Sequence, residues 1–244
     1  MGAVNATSGE AKQLSFRDIT GIFVLWIFVV SISSPLAQAL IGVGPLSDEA
    51  MSVNDLSKEE SISILIRTLF LLLIFIYCSW KYGKNANLRY LSVNRVGIGA
   101  VIVNCFLGIL LAVSFVFILF WGLIPIEESI TVLESEAFFY GLGSFLLIAV
   151  WVPVIEECLY RGYFFCGIEN SFGSTMASVI SSLLFAISHV NFFLSSSWIP
   201  LAYLFLISFF LGYLRLKYKS IVPSIAFHGF YNGSLFALAS LVFG

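Results

Sequence analysis

The sequence predicts an all-α fold, a polytopic bundle of about seven membrane-spanning helices with its N-terminus in the cytoplasm. Three observations predict it. The 244 residues are 59% hydrophobic and only 11% charged, with a mean hydropathy of +1.00, whereas a soluble domain carries roughly 25% charged residues. The apolar residues fall in runs of about the 20 residues needed to cross a bilayer, where a helix satisfies its own backbone. The polar segments between the runs alternate in charge. The lipid bilayer is therefore the main partner and no nucleic-acid partner is expected; the net charge of −2 says little about partners, because the distribution of charge matters more than the sum.

The spans are expected at 21–41, 62–80, 96–124, 138–168, 175–193, 198–213 and 221–243. A basic N-terminal tail (Lys12, Arg17) precedes the first span. An acidic loop follows it, with Asp48, Glu49, Asp55, Glu59 and Glu60 against Lys58. The next loop is basic (Lys81, Lys84, Arg89, Arg95), the next acidic (Glu127, Glu128, Glu134, Glu136), and Arg215, Lys217 and Lys219 follow the sixth span. The positive-inside rule then puts the N-terminus in the cytoplasm and the C-terminus outside. Asn5 becomes a chance sequon on the wrong side. Ala6 disqualifies Gly2 as a myristoylation site. No cleavable signal peptide, internal repeat or separate soluble domain is expected, so 1–244 is one membrane domain. Cys78, Cys105, Cys158 and Cys166 lie in apolar runs without metal or redox spacing and read as buried small hydrophobes. Pro153 lacks a backbone donor, so the long fourth span is expected to bend there.

That fourth span holds the anomaly. Within 137–168 the only charged residues are Glu156, Glu157 and Arg161. Each costs about 2.5–3.5 kcal/mol at mid-membrane depth on insertion scales. The doublets Glu59–Glu60 and Glu127–Glu128 are expected in loops, where carboxylates are hydrated, so adjacency alone is uninformative. One turn separates Glu157 from Arg161, so the two pair. Glu156 points about 100° away, free to face a cavity, with Tyr160 one turn along its own face.

Both histidines of the chain, His189 and His228, also fall in spans. If the fourth and fifth spans form a hairpin near Phe172, Glu156 lies 16 residues before the turn and His189 lies 17 after it. Equal rise per residue puts them at similar depth. His228 lies nearer its own helix start and fits this depth less well. Phe185 precedes His189 by one turn, and Asn232 follows His228 by one turn. A carboxylate, two imidazoles and an amide can activate water and stabilise an oxyanion. Glu with two His is also a common zinc set, although the local HExxH spacing is absent. A buried ion network that fixes helix packing and an ion pathway are the competing readings of the same charges.

The segments EECLYR, FAISH and HGFYN resemble the motifs EExxxR, FxxxH and HxxxN of the CPBP (Abi) intramembrane protease family. That family includes CAAX prenyl endopeptidases and bacteriocin-immunity proteins. The resemblance implies a catalytic core at 137–243 and a site opening toward the cytoplasm. It implies that Glu156 and His189 polarise the attacking water, and that His228 and Asn232 stabilise the oxyanion. Glu157, Arg161, Tyr160 and Phe185 then have structural or orienting roles. A divalent metal such as zinc, if present, would sit on Glu156, His189 and His228. The implied activity is hydrolysis of a peptide bond in a membrane-associated protein or peptide, prenylated in CAAX-type members. The implied location is the plasma membrane of a prokaryote or the endoplasmic reticulum of a eukaryote. A non-catalytic scaffold or immunity protein on the same fold is the alternative. Tyr160 departs from the phenylalanine often found at that motif position.

Overall fold

The computed structural model describes residues 13–42, 53–120, 142–189 and 199–243, which are helical with short connections. Helix α1 spans Phe16–Leu40. Ser15 starts it with a reciprocal capping box, its side chain accepting from the Asp18 amide while Asp18 accepts from the Ser15 amide. Ile19, Ile22 and Trp26 form its buried stripe, while Val24, Leu25 and Phe28 are exposed. Exposed large apolar residues recur on Leu72, Leu73, Ile76, Ile102, Phe106 and Leu206. A water-soluble surface does not tolerate this; a lipid-facing one does.

Helix α2 spans Val53–Tyr82 and the short α3 spans Ala86–Leu91. Helix α2 begins well before its apolar run, so Glu59 and Glu60 lie on a helix rather than in the loop expected for them. No glycine or proline interrupts 53–63, and Asp55 in the first turn favours a helix N-terminus. The other acidic segments, Asp48–Glu49 and Glu127–Glu136, fall outside the described residues, as do Asn5 and Lys12. Asp18, Lys81 and Tyr82 tie the start of α1 to the end of α2, with Lys81 also donating to the Tyr77 hydroxyl at 2.8 Å.

After α4 (Ile98–Phe120), one long helical rod carries the anomalous charges. It runs as α5 (Leu142–Leu146), a π-helical stretch Leu147–Trp151, α6 (Val152–Glu157), a second π-helical stretch Cys158–Phe164, and α7 (Phe165–Ser188). Pro153 has no N–H for the Ala149 carbonyl four residues back, and the adjoining Val152 amide bonds to Leu147, five back. The expected bend is thus expressed as a wide turn. The two π stretches flank the glutamates on both sides.

Among the described residues, five helices are long and apolar enough to cross a membrane: Phe16–Leu40, Ser61–Tyr82, Ile98–Phe117, Leu147–Ser188 and Leu201–Tyr218. Leu147–Ser188 is 42 residues, twice a crossing, and it breaks at Gly173, whose φ of 81° and ψ of 168° suit glycine. The chain reverses there, so this rod accounts for two of the seven expected spans. The last helix, α9 (Val222–Phe243), carries Ser224, His228 and Asn232 in its first half and is not among the five. Helix α8 spans Ile199–Tyr218. Arg215 and Lys217 therefore sit on a helix, not in a loop, and Arg215 is buried. The protein is a multi-pass all-α integral membrane protein.

Two apolar clusters fill the interior. Residues of α1, α2, α6, the second π stretch and α7 form one; α4, α8 and α9 form the other. The polar residues lie along the seam between them. Helix α9 reaches that seam because Gly229 lets it lie against the first π stretch, where a Cβ would stand 2.5 Å from the Ala149 carbonyl oxygen. Gly233 repeats the approach one turn on, a small-residue spacing typical of tight membrane packing. Gly229→Ala is expected to destabilise the protein by about 1–3 kcal/mol, measured as thermal unfolding in detergent. It is also expected to impair the adjacent His228.

Candidate active site

Arg161 and Glu157 are fully buried and pair at 3.1 Å across one turn. The guanidinium also donates to the Ser208 carbonyl at 2.8 Å and the Ser208 hydroxyl at 2.6 Å. It lies 5.0 Å over the Phe185 ring. Arg161 therefore joins the second π stretch to α8 and α7. Glu157 does more than neutralise it, since its Oε1 also faces Nδ1 of His228 at 2.9 Å.

Glu156 points elsewhere, as the helical period predicts. Its Oε1 lies 3.7 Å from Nε2 of His189, and its Oε2 lies 3.7 Å from Nε2 of His228. The reversal at Gly173 brings His189 back to Glu156, in the register the hairpin argument expects. His228 also arrives at this level, which its place near a helix start argued against. The reason lies in the corner between α8 and α9. Its Ser220 and Ile221 bond to Asn94 and Ser92, while Arg215 lies over Phe165 and donates to the Arg161 carbonyl at 3.3 Å. The corner thus meets the hairpin near Phe165, short of its tip at Gly173, and α9 starts deeper than a common loop level implies.

The distal ring nitrogens are anchored. Nδ1 of His189 sits 2.8 Å from the Phe185 carbonyl, and Nδ1 of His228 faces the Glu157 carboxylate. Carbonyls and carboxylates accept, so each Nδ1 is the donor in these contacts, and Nε2 is the ring atom turned toward Glu156. Phe185 is the wedge between them, 4.5 Å from the His189 ring and 5.9 Å from the His228 ring.

Asn232 lies one turn beyond His228, its amide nitrogen 3.5 Å from the Ile148 carbonyl. Tyr160 is fully buried. Its hydroxyl meets Ser188 and Trp26 rather than Glu156, so its place on the Glu156 face does not take it into the site directly. Sequence reasoning missed Ser188 and Trp26, because a serine and a tryptophan in apolar helices carry no motif. Among the described residues no group of three His, Cys, Asp or Glu is drawn together as a metal centre. Glu156, His189 and His228 have the donor chemistry for a divalent metal, which would polarise the attacking water there. A groove of 390 Å³ between α1 and α7 is lined by Phe23, Val24, Ile27, Val30, Ser31, Ile187 and Ser188.

Residues 138–234 match the family model described as type II CAAX prenyl endopeptidase Rce1-like. That segment is similar to the Rce1-like family. The match bears out the resemblance carried by the three motifs, and it holds all of Glu156, Glu157, Arg161, His189, His228 and Asn232. The chain is also similar to the UPF0177 protein YxdF of Lactococcus lactis, 36% identical over 86 residues. That alignment covers 35% of this chain and 44% of the relative, so the chain spans less than half of the relative's length. No solved structure matches. Helices α1 to α4 and Trp26 lie outside the Rce1-like segment, which places part of the site's support beyond the family match.

Proposed function

We propose that this protein is an intramembrane endopeptidase in which Glu156, assisted by His189, activates water against a peptide bond of a membrane-associated protein or peptide. One observation carries the reading. The two oxygens of the Glu156 carboxylate each face an imidazole, Oε1 lying 3.7 Å from Nε2 of His189 and Oε2 lying 3.7 Å from Nε2 of His228. A carboxylate held between two imidazoles is placed to take a proton from a bound water.

The chemistry follows from the arrangement. Glu156 takes a proton as the water oxygen attacks the scissile carbonyl carbon, and the carbonyl oxygen becomes the oxyanion. Asn232 is the fixed donor for that oxygen. His228 is the ring with a carboxylate at both nitrogens, Glu157 at 2.9 Å and Glu156 at 3.7 Å. As the doubly protonated ring, His228 donates from Nε2 to the oxyanion, and the two carboxylates offset its charge throughout the reaction. The C–N bond then breaks, and Glu156 returns the proton to the leaving amine. Glu157 and Arg161 orient His228.

A lipid-bearing or apolar substrate segment would enter laterally from the bilayer along the apolar groove that Ser188, the neighbour of His189, helps to line. A cytoplasm-facing site on substrates of the CAAX kind fits this route and the loop charges. The test is mass spectrometry of membrane peptides from cells carrying the wild type, His189→Ala or His228→Ala. Products are expected with the wild type alone; identical peptide sets in all three would end the proposal. Dialysis of the purified protein against a chelator is expected to leave cleavage intact. A loss restored only by zinc would instead make Glu156, His189 and His228 ligands.

A further inference from the structure

We infer that Arg67 and Ser63 form a subsite for a carboxylate of the substrate. Arg67 lies inside the span Ser61–Tyr82, about 7 Å from its centre at roughly 1.5 Å per residue. It stands on the inward face of α2. Ser63, Ile74 and Cys78 share that face and are buried, whereas Leu65, Leu69, Leu72 and Ile76 on the opposite face are exposed to lipid. An arginine in this place is costly unless something partners it. Among the described residues no ion pair includes Arg67, and its Nε is buried without a hydrogen bond. One turn before it, Ser63 is fully buried and its hydroxyl also has no partner among the described residues. Two groups able to donate are thus left open on one face. The guanidinium has no acceptor atom, so only an acceptor can meet it. Away from water the acceptor that best offsets a buried cation is an anion, and the planar fork of arginine matches a carboxylate.

The position of Arg67 says whose carboxylate it is. Lipid phosphates lie beyond the ends of the span and outside the bundle, so an inward residue near the centre does not meet them. A substrate held at Glu156 does. Helix α2 packs on α6, the segment that ends in the two glutamates. Thr68, the neighbour of Arg67 in the chain, accepts from the Trp151 indole at 2.9 Å, and Trp151 precedes Glu156 by five residues. Arg67 therefore lies about 8 Å along the bundle from the level of Glu156, on the side away from the Gly173 turn. Two or three residues of extended chain cover that distance. The carboxylate is then either the terminal one or an acidic side chain, two or three residues from the cut. The subsite rests on the proposed peptidase reading for its role in cleavage. Helix α2 lies outside residues 138–234, so this selectivity would belong to the N-terminal half of the chain.

The probe is an apolar tripeptide prepared as its free acid, as its C-terminal amide, and as an amide ending in aspartate. Each is added to the purified full-length protein in detergent, and binding is read from the rise in melting temperature with peptide concentration. At least one carboxylate form is expected to bind the wild type about 10–100-fold more tightly than the plain amide, the range for charge-assisted hydrogen bonds. Preference for the free acid marks a terminal carboxylate, and preference for the aspartyl amide marks an acidic side chain. Arg67→Gln is expected to abolish the preference, Arg67→Lys to keep part of it, and Ser63→Ala to reduce it. Without peptide, Arg67→Gln is expected to melt at or above the wild type, because it removes a costly charge kept for binding. Equal binding of all three peptides, a preference that survives Arg67→Gln, or an Arg67→Gln protein that melts well below the wild type would each overturn the inference. A preference that depends on Arg67 in a protein whose wild type cleaves no membrane peptide would uphold the subsite and sink the peptidase reading.

Discussion

Glu156→Gln is expected to lower the cleavage rate by about 10²–10⁴-fold, the usual range for losing a positioned general base. Glutamine keeps the shape of the side chain and one acceptor oxygen but cannot take a proton from water. The substitution also turns one of the oxygens facing the histidines into an NH₂ donor, which can compete with water in the site. Stability should change little, because the ion-pair contacts of Glu156 are with the two histidines at 3.7 Å and not with Arg161. Comparison with the neighbouring residue sharpens this. Glu157→Gln removes the anchor of Arg161 and His228 and is expected to lower stability and rate together. Detergent melting curves beside rate measurements separate the two patterns.

Arg161→Met is expected to be the most destabilising single change, at about 3–5 kcal/mol. It strands a fully buried carboxylate, Glu157, whose remaining partner is His228. It also removes both bonds to Ser208 and the cation over Phe185. Breaking a buried pair costs more than replacing it entirely. The double variant Glu157→Gln/Arg161→Met is therefore expected to melt above Arg161→Met. It should stay poorly active, because His228 no longer has a charged acceptor at Nδ1. Thermal unfolding in one detergent across the four proteins of the cycle measures the coupling. A single variant as stable as the wild type would show that the pair does not hold the site.

Much of this site was legible in the sequence, for local reasons. The separation of Glu156 from Glu157 follows from the helical period, and the approach of His189 follows from a hairpin with equal arms. Both depend on short-range geometry that residue spacing encodes. The depth of His228 was not legible. It depends on how far the corner between α8 and α9 is drawn in by Ser92, Asn94 and Phe165, residues distant in sequence. The π-helical stretches escaped for a similar reason: Pro153 announces a missing bond but not how the helix absorbs it. Arg215 looked like a loop charge because hydropathy does not show partners, and here they are the Ser92 hydroxyl and the Arg161 carbonyl. Arg67 was passed over inside α2, although an arginine there is as costly as the fourth-span charges. Its Nε is buried without a hydrogen bond among the described residues.

The central claim is that Glu156 is the base that activates water between the two histidines. The most direct measurement is the rate at which purified wild type and Glu156→Gln, reconstituted in the same liposomes, cut a peptide bond identified by membrane-peptide mass spectrometry. Cleavage by the wild type and its loss in a variant of equal melting temperature is the predicted result. Equal rates for the two proteins would contradict it.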